Sequence, residues 1–145
     1  MVTGTVVTGV IGSDVHSMGI QIIEYALEDA GFDVVSLGVQ TPQREFIDAA
    51  IETDADALII SSVYGHARLD CDGLRDKCDE AGLEDILLYV GGNLAVSSET
   101  TFEEARKEMR SQGFDRVYPS RADIPDMIED LKADVKDRRA PPAQG

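Results

Sequence analysis

Basic residues and long apolar runs are scarce in this chain of 145 residues. Thirteen Lys and Arg stand against 28 Asp and Glu, which gives a formal net charge of −15 at pH 7. Nucleic acid and anionic membrane surfaces are therefore unsuitable partners, because affinity for both depends on cationic side chains. No run approaches the roughly 18 apolar residues of a membrane-spanning helix, and residues 1–11 lack the pattern of a secretory signal. We expect a cytoplasmic protein.

Cysteine is also scarce, since Cys71 and Cys78 are the only two. On one helix these residues would lie roughly 10 Å apart along the axis, which is too far for a disulfide. Their spacing matches no zinc motif. We predict that Cys78 is a small core residue and that Cys71 stands at the start of a helix.

The charged residues are unevenly distributed by type, with 17 Asp and 11 Glu but only 4 Lys beside 9 Arg. We interpret this as a salt-adapted surface, because high ionic strength screens the self-repulsion of so large a charge. An ordinary acidic cytosolic protein is the alternative interpretation. The length and an apolar content of 43% suit one domain with a substantial core.

Short apolar segments alternate along the chain with segments whose apolar residues recur at helical spacing. Strands are predicted at 6–11, 33–37, 57–62, 86–90 and 116–118. Helices are predicted at 18–30, 42–51, 74–81, 100–112 and 123–137. The alternation predicts an α/β fold with a doubly wound, five-stranded parallel sheet of the Rossmann or flavodoxin-like type. We assign residues 1–137 to this domain and residues 138–145 to a flexible tail.

In such sheets, ligands bind beyond the carboxyl ends of the strands, near the point where the strand order reverses. The loop after the first strand reads Gly-Ser-Asp-Val-His-Ser-Met-Gly over residues 12–19. Asp14 could accept a hydrogen bond from one ring nitrogen of His16 and leave the other free for a metal ion. Gly19 would let a bulky group approach the first turn of the helix. A solvated loop histidine is the alternative.

The loops after the third and fourth strands begin with small residues, Ser61-Ser62-Val63 and Gly91-Gly92-Asn93. Small residues at both strand ends would leave a slot beside the sheet, although glycines also serve in tight turns. The chain contains neither a GxGxxG motif after the first strand nor a P-loop motif. The third strand does not end in the aspartate of a phosphorelay receiver. A flavin site stays open because Ser13 and Ser17 enrich the first loop in hydroxyls.

Together, Asp14-x-His16-x-x-Gly19, Ser61-x-Val63 and Gly91-Gly92 resemble the motifs of cobalamin-binding domains in base-off, His-on B12 enzymes. Val63 stands where leucine is usual. The resemblance implies that His16 is the axial cobalt ligand, that Asp14 is its hydrogen-bond partner, and that a slot beside the sheet holds the nucleotide tail. It implies that Gly19, Ser61, Gly91 and Gly92 line this slot. The cofactor neighbours carried over from the matched loops are Ser13, Val15, Ser17, Ser62, Val63, Asn93, Leu94, Ala95, Val96 and Ser97.

Within that family, the sequence is most similar to the small subunits of glutamate mutase through about Pro119. The matching stretches include residues 70–83 and 113–119. This resemblance implies adenosylcobalamin as cofactor and a radical interconversion of L-glutamate and (2S,3S)-3-methylaspartate. It also implies a larger barrel-type catalytic subunit as partner, in a complex of two small and two large subunits, with no catalytic residue in this chain beyond the cofactor ligand.

Two questions remain open from the sequence. The chain could instead be a corrinoid carrier, or the cobalamin-binding module of another B12 mutase or methyltransferase. His66 follows the third strand but belongs to no motif of the family, and we interpret it as a solvated loop histidine.

Overall fold

The computed structural model describes residues 4–11, 18–62, 71–92, 102–118 and 123–139. In these ranges five strands alternate with five helices, as the sequence predicts. The strands are β1 (Thr5–Val10), β2 (Asp33–Ser36), β3 (Ala57–Ser62), β4 (Leu87–Gly92) and β5 (Arg116–Tyr118). The helices are α1 (Met18–Asp29), α2 (Gln43–Thr53), α3 (Leu74–Glu80), α4 (Phe102–Ser111) and α5 (Ile124–Arg139).

The strands form one parallel sheet in the order β2-β1-β3-β4-β5. From β1 the chain first forms β2 on one side of β1. It then crosses over to form β3, β4 and β5 on the other side, so the direction of strand order reverses between β1 and β3. At this point the backbone N–H of Ile11 donates to the carbonyl oxygen of Ser61 at 3.0 Å. The predicted α/β architecture is confirmed, and the crossover lies where β1 and β3 end.

The helices cover both faces of the sheet and create two separate cores. Phe46 of α2, Leu74 of α3 and Met109 of α4 pack on one face. Leu27 of α1 and Leu131 of α5 pack on the other. Strand residues alternate between the two cores because successive side chains of a strand point to opposite faces. The fold therefore has three layers, and the side chain of any strand residue can be assigned to a face.

Both cysteines are fully buried in the core under α2, α3 and α4, and no disulfide joins them. The prediction for Cys78 is confirmed. Cys71 precedes α3, where its carbonyl oxygen accepts the N–H of Leu74 at 3.1 Å, and it is a core residue as well.

Burial raises the pKa of the Cys78 thiol to about 11. A rise of about two units over an ordinary thiol leaves roughly 100-fold less of the reactive thiolate at neutral pH. We expect iodoacetamide to modify Cys78 at least 100-fold more slowly in the native chain than in denaturant at pH 8. Mass spectrometry of alkylation time courses measures both rates. Equal rates in the two states would contradict the buried position.

Helix α5 continues through Arg139, two residues into the segment that the sequence assigned to a tail. Arg138 is fixed there because its Nη1 donates to Oδ1 of Asp56 at 2.9 Å. Asp56 is 2% exposed, and its Oδ2 also accepts the backbone N–H of Thr5 at 3.0 Å. One carboxylate thus joins the starts of β1 and β3 to the last turn of α5. Residues 140–145 lie outside the described ranges.

Candidate functional site

A row of residues crosses the carboxyl edge of the sheet on the side of α1 and α5. Strand register sets Val10, Ser61, Gly91 and Tyr118 side by side on β1, β3, β4 and β5. Two residues earlier on the same face, β3 and β4 carry Ile59 and Tyr89, both buried. On β3 and β4 the side chains therefore become much smaller toward the edge. We call the row from Val10 to Tyr118 the edge row.

The glycine of the edge row is not required by the backbone. Gly91 is not among the residues with positive φ, and a Cβ built on it would come no closer than 3.5 Å to Cβ and the carbonyl oxygen of Tyr118. That is ordinary van der Waals distance. The protein itself could accept a small side chain here, so glycine chiefly leaves space beside Ser61. An extended ligand could lie in that space.

A polar network anchors α5 beside the edge row. Tyr118 donates its hydroxyl to Oδ2 of Asp130 at 2.8 Å, and Tyr89 donates to Asp134. Arg116 holds the same Asp134 with two bonds, from Nε to Oδ2 at 2.7 Å and from Nη2 to Oδ1 at 3.0 Å. The two tyrosine rings lie 5.8 Å apart between centroids. This network forms one wall of the site.

The network has a defined protonation state at neutral pH. Burial, followed by the hydrogen bond to Asp134, raises the pKa of Tyr89 well above its ordinary value. Burial and the bond to Asp130 likewise raise the pKa of Tyr118. The hydrogen bonds from Arg116 hold the pKa of Asp134 below its usual range. Both phenols are therefore neutral donors, and Asp134 is an ionised acceptor.

The pairing of Asp134 predicts a loss of stability in acid. An unfolded aspartate titrates near pH 3.9. Because the pKa of Asp134 is lower in the folded chain, its stabilisation is complete above about pH 4 and is lost as the pH falls through the folded value. We expect Asp134→Asn to lower the free energy of unfolding by about 2 kcal/mol at pH 7 and by less at pH 3, measured by denaturant unfolding.

Asp137→Asn, exposed on the same helix, is the control and should change the free energy of unfolding little at either pH. A gap between wild type and Asp134→Asn that is unchanged at pH 3 would contradict this assignment.

The opposite wall is the inner face of α1. Thr8 of β1 is fully buried and donates its hydroxyl to Oε2 of Glu24 at 2.5 Å. This bond turns the only charge in the first ten residues of α1 toward the sheet. Thr8 lies on the same face of β1 as Val10, two residues before the edge row. Polar groups therefore flank the space from both helices.

The structure brings together part of the predicted site. Ser61 and Gly91 are neighbours in the edge row, Gly19 lies in the first turn of α1, and Gly92 ends β4. Ser62 is buried, but the alternation of β3 directs its side chain to the opposite face from Ser61. The predicted residues that lie outside the described ranges are Ser13, Asp14, Val15, His16, Ser17, Val63, His66, Asn93, Leu94, Ala95, Val96 and Ser97.

Sequence reasoning missed the network of Tyr89, Arg116, Tyr118, Asp130 and Asp134. A signal was available, since Asp130 and Asp134 are four residues apart on one helix and Arg116 and Tyr118 are two apart on one strand. Each spacing sets two polar side chains on one face. The sequence did not reveal that these two faces meet.

The described residues contain neither a membrane-spanning helix nor a cluster of metal-binding side chains. No helix in this part of the chain is long and apolar enough to cross a bilayer. The same ranges hold no cluster of three or more His, Cys, Asp or Glu side chains suited to a metal ion.

Comparison with known proteins identifies close relatives. The family model for the B12 binding domain matches residues 4–113. The glutamate mutase sigma subunit of Treponema denticola is 52% identical over 131 residues, which cover 90% of this chain and 94% of that protein. Glutamate mutase sigma subunit 2 of Haloarcula marismortui is 55% identical over 134 residues, covering 92% and 89%.

Solved structures share the fold at low sequence identity. A cobalamin-binding protein from Desulfitobacterium hafniense has a TM-score of 0.74 at 20% identity, and the match covers 90% of this chain and 58% of that chain. The methanol:cobalamin methyltransferase complex of Methanosarcina barkeri gives 0.69 at 24%, covering 92% and 48%. The receiver domain of NarL from Mycobacterium tuberculosis gives 0.67 at 12%, covering 94% and 98%. At these identities the likeness is one of fold alone.

Proposed function

This chain belongs to the B12-binding domain family, as a cobalamin-binding subunit of glutamate mutase, and from that premise we propose how it holds its cofactor and what it needs to act. His16 would bind the cobalt of adenosylcobalamin through one ring nitrogen, and Asp14 would accept the hydrogen bond from the other. A carboxylate in this position fixes the tautomer and orientation of a ligating imidazole. The nucleotide tail of the cofactor lies in the slot beside the edge row.

The observation that carries this proposal is the register of β3 and β4, which pairs Ser61 with Gly91 next to the reversal of strand order. Gly91 leaves room for the tail, and the hydroxyl of Ser61 is available to a polar group of the tail. Gly19 and Gly92 line the ends of the same slot. The remaining neighbours are Ser13, Val15, Ser17, Val63 and residues 93–97. Ser62 would contribute through its backbone alone, because its side chain is buried on the opposite face of the sheet.

Adenosylcobalamin, when bound, supplies a cobalt–carbon bond that breaks homolytically and so starts a radical rearrangement. With the cofactor bound, His16 would hold the cobalt and the slot beside the edge row would hold the tail. The substrate-binding residues lie on a larger, barrel-type catalytic subunit that covers the bound cofactor, in a complex of two small and two large subunits. The complex interconverts L-glutamate and (2S,3S)-3-methylaspartate and works in the cytoplasm, where the thiols of Cys71 and Cys78 stay reduced.

The visible spectrum of cobalamin tests the role of His16. Wild type, alone and with the catalytic subunit, is expected to convert cobalamin to the base-off, His-on form. His16→Ala and His16→Gly should lose this spectrum, and added imidazole should restore it to His16→Gly by filling the vacated ligand position. His66→Ala, at the only other histidine, is the matched control and should retain the wild-type spectrum.

Three results are informative. A free-cobalamin spectrum in every wild-type mixture would overturn the proposal. Loss of the spectrum in His66→Ala together with retention in His16→Ala would move the ligand to His66. Cobalamin binding without glutamate-dependent formation of methylaspartate, when the catalytic subunit is present, would favour the corrinoid carrier instead.

A further inference from the structure

Exposed large apolar side chains are few among the described residues, and two of the three lie together on α1. Ile22 is 51% exposed and Tyr25 is 72% exposed. They are three residues apart on a helix, which sets their side chains next to each other. The third, Ile51, is 52% exposed and stands on α2, on the other side of the sheet. We call Ile22, Tyr25 and the exposed Gln21, four residues before Tyr25, the α1 patch.

The α1 patch is uncharged in a chain of net charge −15. From Met18 to Leu27 the only charged residue is Glu24, and its carboxylate is directed inward to the hydroxyl of Thr8. Exposed charge begins only at Glu28. Cores of protein interfaces are depleted in charge and enriched in tyrosine. This surface has the composition of an interface core, and the exposed Glu28, three residues after Tyr25, gives it a charged rim.

The position of the α1 patch identifies its occupant. Helix α1 begins directly after the loop of residues 12–17, which carries the proposed cobalt ligand. At 1.5 Å per residue, Ile22 lies roughly 6 Å and Tyr25 roughly 10 Å along the axis from the first residue of α1. The α1 patch therefore begins about one helical turn from the carboxyl edge of the sheet, the edge that the catalytic subunit covers in the proposed function.

The exposed area distinguishes this occupant from a second copy of the chain. Ile22 and Tyr25 together expose no more than roughly 300 Å². A stable interface needs about 800 Å² from each partner. A subunit that already covers the cofactor can add the α1 patch to a larger interface, whereas a symmetric pair of such patches would be too small.

We propose that the α1 patch is part of the docking surface for the larger catalytic subunit, an inference that rests on the proposed function. Ile22 and Tyr25 insert into an apolar surface of that subunit and fix how it sits over the cofactor. Assembly, and not cobalamin binding by this chain, therefore depends on them.

The test is a sedimentation-velocity titration of the full chain with its catalytic subunit in the presence of adenosylcobalamin. Ile22→Asp and Tyr25→Asp are expected to raise the dissociation constant of the complex at least tenfold. Ile51→Asp is the matched control, because it places the same charge at an isoleucine of equal exposure, and should change the constant less than twofold. Circular dichroism and the cobalamin spectrum of each variant alone should equal those of wild type.

Several outcomes would overturn the inference. Wild-type assembly by Ile22→Asp and Tyr25→Asp would do so, as would an equal loss with Ile51→Asp, which would indicate a general effect of charge. Loss of the His16-dependent spectrum in Ile22→Asp would assign the residue to the cofactor site. A wild-type dimer that Ile22→Asp abolishes would assign the patch to a second copy. If wild type itself neither binds cobalamin nor assembles, the proposed function fails.

Discussion

Leucine in place of Gly91 is expected to abolish tight binding of cobalamin while the chain stays folded. The backbone at Gly91 has no positive φ, and a Cβ there meets Tyr118 only at 3.5 Å. The added side chain would therefore project into the space beside Ser61, which the nucleotide tail occupies in the proposed function. Ligand and side chain cannot share this volume, so affinity should fall by about 100-fold or more, which corresponds to about 2.7 kcal/mol.

Two substitutions of increasing size at Gly91 test this prediction. Gly91→Ala adds one methyl group at ordinary contact distance and should weaken binding by less than Gly91→Leu. Spectral titration with cobalamin measures the dissociation constants, and denaturant unfolding of each apo variant verifies that stability changes little. If Gly91→Leu binds cobalamin as tightly as wild type, the tail does not lie beside the edge row. If its apo form is unfolded, the space at Gly91 belongs to the core of the protein.

Alanine in place of Asp56 is expected to give the largest loss of stability. The carboxylate of Asp56 is 2% exposed and accepts bonds from Thr5 and Arg138, so its removal leaves a buried N–H and a largely buried guanidinium without these acceptors. Breaking a buried pair by removing one partner costs about 3 to 5 kcal/mol, and the side chain of Arg138, 23% exposed, favours the lower value. We expect about 3 kcal/mol, measured by denaturant unfolding.

Two controls accompany Asp56→Ala. Asp48 pairs with Arg44 on the surface of α2 at 3.9 Å, with side chains 60% and 90% exposed, and Asp48→Ala should cost less than about 0.5 kcal/mol. Asp56→Asn retains the size and one acceptor oxygen and should cost less than Asp56→Ala. Equal effects of Asp56→Ala and Asp48→Ala would show that the buried carboxylate contributes no more than a surface charge.

Local patterns in the sequence were sufficient to predict the elements of the fold. Helix α1 is predicted at 18–30 and observed at Met18–Asp29, and β3 and β5 have the predicted bounds. Periodicity is a property of adjacent residues, so it can be read without knowing what an element packs against. The sequence assigns residues 138 and 139 of α5 to the tail. No local pattern signals their place in the helix, because Arg138 is held by Asp56, which is 82 residues away in sequence.

The candidate site was predicted in outline and missed in detail for a related reason. Ser61 and Gly91 each follow an apolar strand, and both strands end at one edge, so their proximity could be predicted from the fold class. The face on which each side chain lies depends on strand alternation, which separates Ser62 from Ser61. The hydrogen bonds from Tyr89 and Arg116 to Asp134 form only when β4, β5 and α5 are in their final arrangement. No sequence motif predicts these bonds.

The outermost strands of the sheet are its shortest, with four residues in β2 and three in β5. Each of these strands offers only a few unpaired backbone groups. The first residue of β5, Arg116, carries a charge that is fixed by its ion pair with Asp134. Short edges with fixed charges are poor templates for strand addition by another molecule. The two ends of the sheet therefore offer little backbone to another chain, which disfavours self-association of this protein by strand addition.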